Sequence, residues 1–220
     1  MKKLNQYIKE KLIINKDYKD CRYHDNMIVV NSFDELRKII EDRYDKLGAG
    51  TKQDPIDFND IDVSNLDSFR GKYKKMGIFE ETKFKYIDIS YWDVSNVYSM
   101  RHMFYRCKEL ESVGDISKWN VSKVRFMAFM FSECKKINQD LSEWNVSNVT
   151  DMNYMFWECG SFNQDLSKWN VSNVIDMSNM FSDCTSFNQD LSNWNVSKVQ
   201  YNLLMFYNCP IKNEYKPKFK

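Results

Sequence analysis

At 220 residues the chain has room for one substantial core, or for a small domain joined to a repeat array. Charge is balanced, 32 basic against 31 acidic residues, so the global field favours neither a phosphate backbone nor an anionic membrane. Aromatics reach 15 % while Gly (6) and Pro (3) are scarce, which excludes a linker-like, disordered chain.

The N-terminus is basic at Lys2 and Lys3 but lacks an apolar segment of signal-peptide length, and no later run is long enough to cross a bilayer. Taken as complete, the chain is expected to be cytoplasmic, with no membrane partner. A cell-surface location would need an export segment outside this sequence. Leu4, Ile8 and Leu12, with Tyr7 beside them, predict an amphipathic helix over 3–14, and Met27-Ile28-Val29-Val30 predicts a strand. Ser32 followed by Glu35 has the capping-box form. Phe33, Leu36, Ile39, Ile40 and Tyr44 then recur at helical spacing up to a C-cap at Leu47-Gly48. Residues 1–50 therefore read as an N-terminal α/β capping unit, helix–strand–helix.

Residues 51–91 read as a degenerate first coil followed by a Lys-rich insertion. Ile61-Asp62-Val63-Ser64-Asn65-Leu66 is a loose version of a phrase that recurs later. Residues 67–86, with Lys72, Lys74, Lys75, Lys83 and Lys85, are expected to form a surface loop or a short helix. From Trp92 to the C-terminus (92–220) the register is firm. Trp stands at 92, 119, 144, 169 and 194, spacings of 27, 25, 25 and 25, and the copies at 144 and 169 share 18 of 25 residues. A fixed period of this size signals a stack in which each coil buries its apolar face against the next. Met152, Met155, Phe156 and Cys159 fall at i, i+3, i+4 and i+7, which predicts a two-turn helix; Leu166, Trp169 and Val171 predict an extended segment. The expected fold is an α/β repeat solenoid with a short parallel strand and a short helix per coil. In the last copy Asn202 replaces Met and Lys212 replaces Phe, as a terminal coil requires; the tail to Lys220 folds over the end or frays.

The phrase Trp-Asn-Val-Ser-Asn-Val-x-Asp-Met-x-x-Met-Phe-x-x-Cys-x-x-Phe-Asn-Gln-Asp-Leu-Ser, carried by 144–167 and 169–192, resembles the BspA-type leucine-rich-repeat family, a 25-residue branch found in bacterial surface proteins and phage-borne genes. The resemblance covers 92–209 well and 56–66 loosely. It implies a leucine-rich-repeat-like, right-handed solenoid with roles in adhesion or protein binding, and it brings no catalytic residues.

Several constellations carry chemistry on paper. Cys107, Cys134, Cys159, Cys184 and Cys209 occupy one repeat position; they read as small core residues, against a soft-metal or redox ladder. Asp140, Asp165 and Asp190, with Asp151 and Asp176, read as turn-capping carboxylates, against a shared cation or an acid–base pair. Asn120, Asn145, Asn170 and Asn195 precede Val-Ser; they read as a coil-to-coil Asn ladder, against glycosylation sites. The Lys-rich stretch reads as solvated, with no nucleic-acid partner expected.

The informative letters are those that vary. Two positions lie off the Met/Phe face of each expected helix: His102 and Tyr105, Phe129 and Ser132, Tyr154 and Trp157, Asn179 and Ser182, Leu204 and Tyr207. Large aromatics at free positions are typical interface anchors. The bland alternative is packing against a flanking segment. Tyr105, Phe129, Tyr154, Trp157 and Tyr207 are therefore the candidate partner-binding residues. No catalytic set, cofactor motif or metal spacing stands out. The leading expectation is a non-enzymatic module that binds a protein of unknown identity. The alternatives are a phage- or mobile-element-encoded inhibitor of a host protein, and a surface adhesin.

Overall fold

The computed structural model describes residues 27–71 and 76–219. The helix expected over 3–14 lies outside these residues. A short strand β1 (Ile28–Val29) leads into helix α1 (Phe33–Leu47), and β2 (Ile56–Asp57), β3 (Ile61–Asp62) and β4 (Ile87–Asp88) follow. β1 pairs in parallel with β3, and β2 with β4. Helix α1 starts where Ser32 Oγ accepts the Glu35 N–H at 3.2 Å, while Glu35 Oε2 accepts the Asn31 N–H at 2.8 Å. It stops at Gly48, whose φ of 79° no β-carbon favours and whose N–H returns to Tyr44 O. Leu36 and Ile40 are its buried residues, and they join one core running from Val30 to Ile211.

Beyond β4 the chain is held by a ladder of isolated parallel bridges at Ser99, Phe126, Asp151, Asp176 and Tyr201. Successive repeats therefore lie side by side. Columns of stacked rings run through the interior, two of them along most of the repeats. Phe79, Phe104, Phe131, Phe156, Phe181 and Phe206 stack with centroids 5.4, 5.2, 5.8, 5.5 and 5.8 Å apart. The buried tryptophans form the second column, and the indoles of Trp144, Trp169 and Trp194 donate to the carbonyls of Ile116, Leu141 and Leu166. Trp119 sits where the spacing stretches to 27, and its buried Nε1 has no acceptor among the described residues.

The expected two-turn helix is absent: among the described residues, no α-helix falls within 92–209. Met152, Met155, Phe156 and Cys159 do all point inward, but on consecutive turns. The N–H groups of Met155, Trp157 and Cys159 return to the carbonyls three residues earlier. Tyr154 (φ 55°) and Glu158 (φ 56°) fall at the third position of the turns 152–155 and 156–159, the geometry of type II turns. A left-handed residue at every fourth place turns the intervening side chains inward at the same spacings as a helix. The backbone N–H groups freed by the missing helix point along the stack. Met152, Tyr154, Phe156 and Glu158 donate to Asp176, Ser178, Met180 and Ser182 of the next repeat at 2.9, 2.9, 3.0 and 3.0 Å. The extended segment expected around Leu166, Trp169 and Val171 is likewise a run of turns, and the parallel bridge lies at Asp151 instead.

Residues 76–84 are not a solvated insertion. Ile78, Phe79 and Phe84 are buried, and the Phe79 and Glu81 N–H groups donate to Met103 and Tyr105. This segment has the turns of a repeat, with Thr82 at the Cys position. Lys72, Lys74 and Lys75 lie outside the described residues. At the other end the tail packs back, with Leu191 N–H donating to Tyr215 O and Ile211 buried.

Candidate functional site

The repeat turns bring Tyr105, Phe129, Tyr154 and Trp157 together with His102 in one half-buried patch. Phe129 and Tyr154 are stacked, 4.7 Å apart and 5° from parallel. His102 meets Phe129 at 5.0 Å, Tyr105 meets it at 5.8 Å, and Trp157 stands edge-on to Tyr154 at 5.9 Å. Tyr207 is not part of this patch; it lies in the last repeat, 60 % exposed. Two of the varying positions are not surface positions at all, since Ser132 and Ser182 are buried. In their column the order is Tyr105, Ser132, Trp157, Ser182, Tyr207, so each serine is flanked by large rings on the neighbouring repeats.

Phe129, Tyr154 and Asn179 have φ of 58, 55 and 57°. Asn tolerates this conformation, whereas a bulky residue there is strained by about 1–2 kcal/mol. Local backbone preference therefore argues against the two rings that dominate the patch. A charged border runs beside them. Arg106 bridges Glu81 (3.0 Å) and Glu133 (2.9 Å) and lies over the Tyr105 ring at 4.8 Å, and Lys108 reaches Glu133 at 3.3 Å. Burial pushes the Glu133 carboxyl up, but Arg106 and Lys108 outweigh it and hold the group below its usual range. Burial also raises the Tyr105 phenol. Arg101 pairs with Asp151 and lies 4.6 Å over the Phe126 ring, on the flank of the same repeats.

The other constellations resolve into structural chemistry. Sγ of Cys107, Cys134, Cys159 and Cys184 donates to the carbonyls of Phe79, Phe104, Phe131 and Phe156 at 2.8–3.0 Å. Burial pushes the thiols of Cys134, Cys159 and Cys184 upward. Iodoacetamide labelling of the native protein, mapped by peptide mass spectrometry, should therefore spare Cys107, Cys134, Cys159 and Cys184 and, among the five repeat cysteines, modify half-buried Cys209 first; rapid labelling of Cys159 would contradict this packing.

Oδ1 of Asp140, Asp165 and Asp190 accepts the amides of Ser142, Ser167 and Ser192 at 2.9, 2.8 and 2.9 Å, which holds all three carboxyls below their usual range. A folded-state pKa below the unfolded value means stability that is present above about pH 4 and lost as pH falls through the folded pKa. The urea midpoint of the native protein should thus drop between pH 5 and pH 2.5, and Asp165→Asn, which keeps the acceptor but not the proton site, should drop less. Equal drops would sink the assignment. Asn145 and Asn170 do not bond coil to coil; their Oδ1 atoms accept from Ser147 and Ser172 two residues on. Asn148 and Asn173 do bond coil to coil, donating to Ser122 O and Ser147 O.

Buried columns, inter-repeat hydrogen bonds and an aromatic patch define a repeat protein with a differentiated surface. The chain belongs to the family described as Mycoplasma protein of unknown function, DUF285, which matches residues 72–174 and 142–218. No curated protein and no solved structure matches it. Among the described residues, no helix is long and apolar enough to cross a membrane.

Proposed function

We propose that the protein is a non-enzymatic binding module, a leucine-rich-repeat-like solenoid of the BspA type that presents Tyr105, Phe129, Tyr154 and Trp157 to a protein partner. The observation that carries this reading is the placement of Phe129 and Tyr154, two rings held at left-handed positions where the next repeat has Asn179. The turn needs a left-handed residue at this place in every repeat, but it does not need a large ring there, and that choice is a pointer to function. Half-exposed rings with the charged border of Arg106, Lys108 and Glu133 also fit interface anatomy, an aromatic centre with a polar rim. The test is comparative affinity capture. Wild-type bait and a Tyr154→Asn, Trp157→Ser double variant are exposed to the same cell extract, and a protein held by the first should be lost from the second. Identical captures would remove this face from consideration.

A further inference from the structure

The inter-repeat hydrogen bonds of the turn segment all point one way. Donors lie on the side toward the next repeat and acceptors on the side toward the previous one: Met177, Asn179, Phe181 and Asp183 donate to Tyr201, Leu203, Met205 and Tyr207. Along these turns one end of the stack is therefore a row of carbonyls and the other a row of N–H groups. The carbonyl end is closed by a cation, since Arg37 Nη1 of α1 donates to Ile78 O at 2.9 Å and Glu80 O at 3.2 Å. At the opposite end the amides of Asn202, Leu204, Phe206 and Asn208 have no acceptor among the described residues. Around them Leu203 (71 %), Leu204 (50 %) and Tyr201 (58 %) are exposed, as is Tyr207.

The last repeat also loses the acids of its predecessors. Asp151 and Asp176 are followed in their column by Tyr201, and Glu158 and Asp183 by Asn208. Lys216 is placed 5.9 Å over the Phe206 ring, beside the middle of the row. A donor-only edge, stripped of carboxylates and flanked by lysine, is complementary to acceptors and negative charge. It cannot pair with the same edge of a second copy, because donors would face donors, and the acceptor end is already taken by α1.

We infer that the edge formed by residues 202–208 is a docking site for an acidic peptide segment of a partner, laid alongside as one more repeat with its alternate carbonyls on the four amides. The site is separate from the aromatic patch and does not depend on its role. The probe is a fluorescein-labelled peptide with the sequence of residues 149–158, which contains Asp151 and Glu158 and whose carbonyls at Asp151, Asn153, Met155 and Trp157 already accept from a preceding repeat within this fold. Binding to the full chain should be saturable by anisotropy, and amide resonances of Asn202, Leu204, Phe206 and Asn208 should move together in 1H–15N spectra. The double variant Tyr201→Asp, Asn208→Glu restores acids that earlier repeats carry and should fold. It should weaken binding about fivefold, as should replacing both acids of the peptide by amides. Tyr154→Asn should bind the probe normally. Absence of saturable binding, unchanged affinity in the double variant, or concentration-dependent self-association through these amides would overturn the proposal.

Discussion

Replacing Trp169 with alanine is expected to lower the stability of the protein by about 4 kcal/mol or more, a large part of what a domain of this size has. The indole is buried, stacks on Trp194 at 6.4 Å, leans on Phe156 at 6.5 Å and donates to Leu141 O at 2.9 Å. Truncation thus opens a cavity between two repeats and strips a buried carbonyl of its donor, and neither loss can be repaired by collapse of a single element. Because each repeat meets only its neighbours, the damage also uncouples the repeats on either side. Urea unfolding followed by circular dichroism should show an earlier and broader transition with a shallower slope. Asn170→Ala, next in sequence but exposed, should cost about 1 kcal/mol or less. Equal effects of the two substitutions would mean that the tryptophan column does not hold the repeats together.

The second large effect concerns binding. In the Tyr154→Asn, Trp157→Ser variant, affinity for the captured partner should fall at least about thirtyfold, the equivalent of a 2 kcal/mol hot spot. Stability should change little, for two opposed reasons. The ring stack of Phe129 on Tyr154 is lost, but so is the strain of a tyrosine at φ 55°. Asn and Ser are the letters that the next repeat holds at the same places, Asn179 and Ser182, so the backbone has a working precedent for both. A variant that unfolds, or one that folds and retains the partner, would each contradict a stated part of this reading.

What the sequence revealed followed from what repeats must share. The tryptophan spacing gave the period, and the invariant Met, Phe and Cys gave the buried columns, because stacked units demand the same apolar letter at the same place. The helix expected at Met152 to Cys159 failed because inward spacing of i, i+3, i+4 and i+7 is not unique to a helix. A chain of turns with left-handed residues at Tyr154 and Glu158 turns the same side chains inward. The signal that could have separated the two was composition: a 25-residue repeat with so many Asn, Ser and Asp favours turns over helices.

The turns at 76–84 were missed because Ile78 and Thr82 stand where later copies have Met and Cys, and the Lys run next to them looks like a loop. The aromatic patch was legible as a set of exceptions to the repeat; Tyr207 shares the column but stands in the last repeat, with Ser182 between it and Trp157. The roles of Ser132 and Ser182 were not legible, since their burial depends on rings contributed by adjacent repeats. Nor was the capping by Arg37, an ordinary basic residue on a helix until the carbonyls of Ile78 and Glu80 are seen opposite it.

The common direction of the backbone hydrogen bonds between the turns at 152–158 and their equivalents bears on synthesis. A ribosome delivers the cation-closed end first, so each newly made repeat offers its carbonyls to amides already waiting on the one before. At every stage of elongation the growing stack shows the same face, a row of unanswered N–H groups, whatever the number of repeats behind it. A gene of this kind can lengthen or shorten by whole repeats and still end on the same row of backbone amides; what distinguishes the present ending is its side chains, Tyr201 and Asn208 in place of acids.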